Sequence, residues 1–153
     1  MRVLGISAYF HDSAAALVED GHIIAAAQEE RFSRKKHDAS LPLKAVDFCL
    51  RQAGVSIAEV DQVVFYEKPL KKFERLLVSQ LRAFPRGLGQ FTRSMRSWLT
   101  DRLWVEQNLA TALGCPTSKI LFSDHHLSHA ASAFLCSPFD SAAIVTVDGV
   151  GEW

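Results

Sequence analysis

What this 153-residue sequence lacks narrows its possible roles first. No apolar run approaches the roughly 20 residues that a membrane-spanning helix needs. The opening, Met1-Arg2-Val3-Leu4-Gly5-Ile6, passes directly into a strand pattern instead of a signal peptide. Cys49, Cys115 and Cys136 are odd in number and widely spaced, with no Cys-x-x-Cys pair. That pattern argues against a disulfide framework or a cysteine-built zinc site and fits a reducing compartment. Lys and Arg total 17, as do Asp and Glu, so the formal net charge is zero. A neutral molecule has no field that would argue for nucleic acid or an acidic membrane as partner. There is no internal repeat, low-complexity tract or long linker. The expectation is a soluble, cytoplasmic domain.

The residues present have an ordinary globular composition, 48% apolar and 22% charged, in a length that suits one domain with a real core. Val3 to Ser7 and Ser13 to Val18 read as short strands. Asp20-Gly21 separates the second from His22 to Ala27, and an Asp-Gly pair between apolar runs signals a hairpin. The alanines there favour helix on propensity alone, but Gly21 would break a helix where the pattern reverses. Glu29 to Leu41 has the composition of a surface loop. Pro42 then suits the first turn of a helix carrying Ala45, Val46, Cys49 and Leu50 at helical spacing, closed by Gly54. Strands are expected at Val60 to Tyr66, Lys119 to Phe122 and Ala142 to Val147. Helices are expected at Pro69 to Phe84, Ser94 to Leu113 and Asp124 to Cys136, with Pro85 to Gly89 as a break. The order describes an α/β domain that opens with an antiparallel meander. A new strand immediately before Gly151-Glu152-Trp153 suggests a truncated product.

Five stretches carry chemistry. In Asp124-His125-His126-Leu127-Ser128-His129, Asp124 is a good helix N-cap, and His125 and His129, four apart, share one helical face. Two imidazoles so placed can hold one divalent metal, or they can simply cap or sit on the surface. As a metal site the pair needs a third ligand from a more distant residue or from outside this chain. In Tyr9-Phe10-His11-Asp12-Ser13, a polar cluster joins two strands without a glycine-rich phosphate loop. His11 there could be a general base or a solvated turn residue. Glu29 to Asp38 mixes both charges, so it is either a solvated surface or, through Arg31, Arg34 and Lys36, a holder of phosphate or carbonyl oxygen. Val147-Asp148-Gly149-Val150-Gly151 ends an apolar strand in a turn that suits either a nucleotide phosphate or a hairpin. Finally, nine Lys and Arg lie between Glu67 and Leu103 against three acids, either a solvated helical face or a rim for an acidic ligand.

Taken together and in order, these stretches resemble the amino-terminal motifs of the O-carbamoyltransferase family, which decorates nodulation factors, cephamycins and aminoglycosides. The resemblance is carried by Ile6-Ser7-Ala8-Tyr9-Phe10-His11-Asp12-Ser13-Ala14-Ala15, Glu29-Glu30-Arg31-Phe32-Ser33-Arg34 and Lys36-His37-Asp38. It continues through Asp124-His125-His126-Leu127-Ser128-His129-Ala130-Ala131-Ser132 and Val147-Asp148-Gly149-Val150-Gly151-Glu152. Leu41-Pro42 stands where the family commonly has an aromatic-Pro pair.

The resemblance implies the first lobe of an actin-like ATPase (ribonuclease H-like) fold, with flanking helices, and a two-stage reaction. Carbamoyl phosphate and ATP would give carbamoyl-adenylate in a separate domain, and the actin-like domain would pass the carbamoyl group to a hydroxyl of a small-molecule acceptor. It assigns His125 and His129 as ligands of Fe2+ or another divalent metal. His11 and Lys36 would stand by the transferred group, with His11 as acid/base. Asp12, Arg34, Asp148 and Gly149 would contact the nucleotide cofactor. The second lobe, which brings a third ligand, and the adenylate-forming domain are missing, so the chain is expected to be a partial enzyme, inactive alone. Two rivals stand beside this reading: a threonylcarbamoyl-transfer protein acting on tRNA, and a non-catalytic metal- or nucleotide-binding remnant.

Overall fold

In the computed structural model, which describes residues 1–100 and 102–148, the chain opens with the meander that Asp20-Gly21 predicts. Strand β1 (Arg2–Ser7) pairs antiparallel with β2 (Ala14–Glu19), and β2 with β3 (His22–Gln28). Asp20 and Gly21 both take positive φ, 49° and 84°, the requirement of a tight two-residue hairpin turn. A bulge beyond Leu17 shifts the register so that Ile24 is the extra residue. Strand β4 (Gln62–Phe65) then adds parallel to β1, and β5 (Ile120–Phe122) parallel to β4. The sheet order is β3-β2-β1-β4-β5. The α/β expectation holds in this form, a mixed five-stranded sheet with helices.

The chain divides into two compact units. The first, Met1–Phe65 with Trp104–Phe122, holds the whole sheet. One sheet face carries Leu4, Ile6, Ala15, Leu17, Val63, Phe65 and Ile120, all 6% exposed or less. Each Leu or Phe so buried contributes about 1.5–3 kcal/mol. Helix α1 (Glu30–Ser33) is a single turn, and α2 (Leu43–Ala53) packs on β2 and β3. The alanines explain the fit. Ala15, Ala25 and Ala27 share the face of Leu17 and leave room for α2, whose buried Cys49 Sγ reaches the carbonyl of Ala15 at 3.5 Å. Burial pushes the Cys49 thiol up from its ordinary pKa, as expected of an inert core cysteine. Gly54 closes α2 with φ +68°, as expected. Helix α5 (Val105–Leu113) buries Val105, Leu109 and Ala110. Lys119 Nζ donates to the carbonyls of Ala58 and Val60 at 2.9 and 2.6 Å, fastening the approaches to β4 and β5.

The second unit comprises Tyr66–Leu103 and the described residues from Ser123 onward. It contains α3 (Pro69–Ala83), α4 (Leu88–Thr100) and α6 (His125–Phe134). The Phe73 and Trp98 rings meet at a tilt between α3 and α4, with centroids 5.6 Å apart. Three expectations are corrected. Helix α4 starts at Leu88, inside the expected break, and a 3-10 turn at Arg102–Trp104 separates it from α5, so the predicted single helix from Ser94 to Leu113 is two. The predicted loop from Glu29 contains α1. Ala142 to Val147 forms no strand, and Val145 and Val147 are 85% and 90% exposed. A strand needs a partner for its backbone groups, and no strand among the described residues pairs with this one. No helix among the described residues is long and apolar enough to cross a membrane.

Candidate functional site

Among the described residues two histidine–carboxylate clusters form, one in each unit. In the first unit the connection after β1 is laced to the loop after α1. Tyr9 N–H donates to Ala39 O and Ser13 N–H to Asp38 O, each at 2.8 Å, and Glu29 N–H donates to Ser13 O at 2.8 Å. Tyr9, Asp12, Arg34 and His37 all take positive φ here, uncommon for residues with a Cβ and concentrated at tight functional loops. The result sets Asp12 between two imidazoles. His11 Nδ1 lies 2.8 Å from Oδ2 and His37 Nδ1 lies 2.9 Å from Oδ1. Beside them His37 and then His11 hold the Asp12 carboxyl below the usual aspartate pKa. An ionised carboxylate only accepts, so Nδ1 is the donor in both contacts, which turns each Nε2 away from Asp12. Glu30 Oε2 accepts from the His37 backbone N–H at 3.1 Å. Asp38, buried below, accepts from the Ser40 hydroxyl at 2.7 Å and the Ser40 N–H at 3.1 Å. Those contacts, followed by the Ser33 hydroxyl, hold its pKa far below the ordinary value.

In the second unit the cluster is built on α6. His125 and His129 lie one turn apart, and their Nε2 atoms are 3.1 Å from each other. Asp148 Oδ2 comes within 2.7 Å of His125 Nε2. One donor atom from each of these three residues lies within 4.8 Å of the others. A single N–H on His125 Nε2 cannot serve both neighbours well, whereas a cation accepts all three lone pairs. Ligands about 2.0–2.2 Å from a shared ion stand roughly 3.3 Å apart at tetrahedral angles, close to the separation of the two imidazole nitrogens. The donor set, two imidazoles and a carboxylate, therefore fits a divalent transition metal.

Asp124 begins α6 in extended conformation, φ −70° and ψ 139°, but its side chain makes no cap bond. Lys68 and Lys71 take the carboxylate instead, at 2.6 and 2.9 Å, and in that order they lower its pKa. Lys72 pairs with Glu67 at 2.6 Å. Three ammoniums of the expected basic rim are thus engaged inside the unit.

The expected site residues are distributed unevenly. His11 and Asp12 meet, while Lys36 and Arg34 are exposed, and Lys36 has no hydrogen bond or ion pair among the described residues. His125 pairs with His129, and His126 stays outside the cluster. Asp148, read as a phosphate-turn residue, lies beside the pair as a potential third donor, whereas the resemblance looked to the missing second lobe for that ligand. Gly149, with Val150 to Glu152 of the same motif, lies outside the described residues. Reasoning from sequence missed His37 as a partner of Asp12, although it stood in the Lys36-His37-Asp38 motif. It also missed Glu67, hidden within the basic stretch.

Comparison with known proteins agrees with the motifs. Residues 2–153 match the family described as Carbamoyltransferase N-terminus. An uncharacterised protein of Synechocystis sp. is 57% identical across 99% of this chain, which covers 26% of that protein. Nodulation protein NolNO of Sinorhizobium fredii is 39% identical over 95% of the chain, covering 20% of NolNO. Nodulation protein U of Sinorhizobium fredii is 31% identical over 97%, covering 27% of its length. The chain thus spans about a quarter of the length of these relatives. It belongs to the carbamoyltransferase family, within that family's amino-terminal domain.

Proposed function

We propose that this domain serves the transfer of a carbamoyl group from carbamoyl-adenylate, made from carbamoyl phosphate and ATP, to a hydroxyl of a small-molecule acceptor. The observation that carries the reading is the convergence of His125, His129 and Asp148 in a chain of the carbamoyltransferase family. These three side chains would hold Fe2+ or another divalent metal. When bound, the ion supplies positive charge that orients and neutralises an adenylate phosphate. His11 would take the acceptor's proton at Nε2, because Asp12 holds Nδ1. The hydroxyl oxygen bonds to the carbamoyl carbon, the bond from that carbon to the phosphate oxygen breaks, and AMP leaves. Asp12 orients the base, as a carboxylate does in other histidine catalysis. Exposed Lys36 and Arg34 would meet phosphate or carbamoyl oxygens, and Asp148 and Gly149 would contact the nucleotide.

For the fold, we infer an actin-like (ribonuclease H-like) first lobe, supported by the antiparallel β3-β2-β1 meander continued by parallel β4 and β5.

Anaerobic ferrous titration of the chain beside a His125→Ala, His129→Ala double variant tests the metal reading. Stoichiometric binding that vanishes in the variant is expected. Identical behaviour of the two proteins would remove the metal from the proposal.

A further inference from the structure

Glu67 is a carboxylate with no place in the reaction above, yet it is only 8% exposed. Its Oε2 lies 3.9 Å from Nδ1 of His125 and 2.6 Å from Nζ of Lys72. Burying a carboxylate is costly unless it is paired, and Lys72 offsets that cost. The lysine does not explain why the group faces His125. The backbone does.

Residue 67 is fastened to α6 from both sides. On one side the Ser128 hydroxyl donates to the carbonyl of Tyr66 at 2.9 Å. On the other, Lys68 Nζ reaches the Asp124 carboxylate at 2.6 Å. With its neighbours tied to the start and the first turn of α6, residue 67 has little choice of direction. The Tyr66 ring meets the His125 imidazole edge-on, with centroids 5.5 Å apart, which limits rotation of that imidazole. Nε2 of His125 therefore stays with His129 and Asp148, and Nδ1 stays toward Glu67.

We propose that Glu67 is a positioning residue for His125 as a metal ligand, a role that rests on the metal reading of the His125–His129–Asp148 cluster. A histidine that binds metal through Nε2 carries its proton on Nδ1, and that N–H needs an acceptor. Glu67 is the carboxylate placed to accept it. The bond fixes the tautomer, aims the ring and makes the imidazole a stronger donor toward the ion. Closing from 3.9 Å to ordinary hydrogen-bond length needs a movement of about 1 Å, within reach of a small Glu67 side-chain adjustment.

The test uses zinc ion, diamagnetic and divalent, titrated into the wild-type chain and into Glu67→Gln and Glu67→Ala. Calorimetry gives the affinity, and NMR follows the Nδ1–H proton of His125 in the zinc-bound form. Glu67→Gln keeps shape and an acceptor but loses charge, so folding is preserved and the loss of affinity is modest. Glu67→Ala removes the acceptor, and the affinity falls by about 10–100-fold. The Nδ1–H proton is protected from exchange in wild type and exposed in Glu67→Ala, a signature that a merely structural role would leave unchanged. Equal affinities and equal protection in all three proteins would overturn the assignment while leaving the metal site standing. Failure of the wild-type chain to take up zinc would bring down the metal reading, and the role of Glu67 with it.

Discussion

The two histidine–carboxylate clusters use the same residue types and turn them opposite ways. In the first unit the carboxylate of Asp12 meets His11 and His37 at Nδ1, which leaves each Nε2 for proton traffic. In the second, His125 and His129 bring their Nε2 atoms to one point with Asp148, an arrangement that concentrates lone pairs and calls for a cation. The backbone sets the difference. Loop residues with positive φ splay two imidazoles around one acid, whereas a helix stacks imidazoles four apart on one face. On the proposed reading, which nitrogen faces inward, more than residue composition, is what would separate an acid/base device from a metal site.

The contrast breaks most sharply in paired substitutions. His129→Ala abolishes stoichiometric binding of a divalent ion in a calorimetric titration, and His37→Ala leaves it intact. Equal losses would mean that the clusters do not differ in kind. Next in size is Asp12→Asn in a complete carbamoyltransferase carrying this domain. Losing the charged anchor of His11 lowers kcat by about 10²–10⁴-fold, with metal content unchanged by elemental analysis.

How much of this was legible in the sequence depends on the distance over which each feature is decided. The hairpin at Asp20-Gly21 and the helix from Pro42 to Gly54 follow from local turn and capping chemistry, and both were readable. The pairing of His125 with His129 needs only helical spacing. Asp148 was readable as a chemical group but not as a third donor, because 23 residues separate it from His125 and no periodicity spans that gap. Asp124 looks like a side-chain cap until lysines more than 50 residues away claim its carboxylate. Glu67 was invisible because it stands just before α3 at the head of a basic stretch, and a run of charges usually means a wet helical face. Its burial is a tertiary fact. Ala142 to Val147 reads as a strand by composition, yet strand formation is decided by a partner.

Smaller effects sharpen the difference in how the clusters are held. Ser128→Ala removes the hydroxyl that fastens Tyr66 to α6 and lowers stability by about 0.5–1.5 kcal/mol, measurable by urea unfolding. It also weakens zinc affinity without touching a ligand. The loop cluster answers to acid instead. The Ser40 hydrogen bonds hold the folded Asp38 carboxyl below the ordinary aspartate pKa, so its contribution is fully present above about pH 4. That contribution is lost as pH falls through the depressed value. In Asp38→Asn the stability difference from wild type shrinks below pH 4, and a constant difference down to pH 2 would contradict the hydrogen-bonded carboxylate.

The most direct measurement is anomalous diffraction from crystals of the chain grown with cobaltous or, anaerobically, ferrous ion. The expected result is one anomalous peak bounded by His125 Nε2, His129 Nε2 and the Asp148 carboxylate, with none among Asp12, Glu30 and His37. A peak at the loop cluster with an empty helix cluster would contradict the division of labour between them.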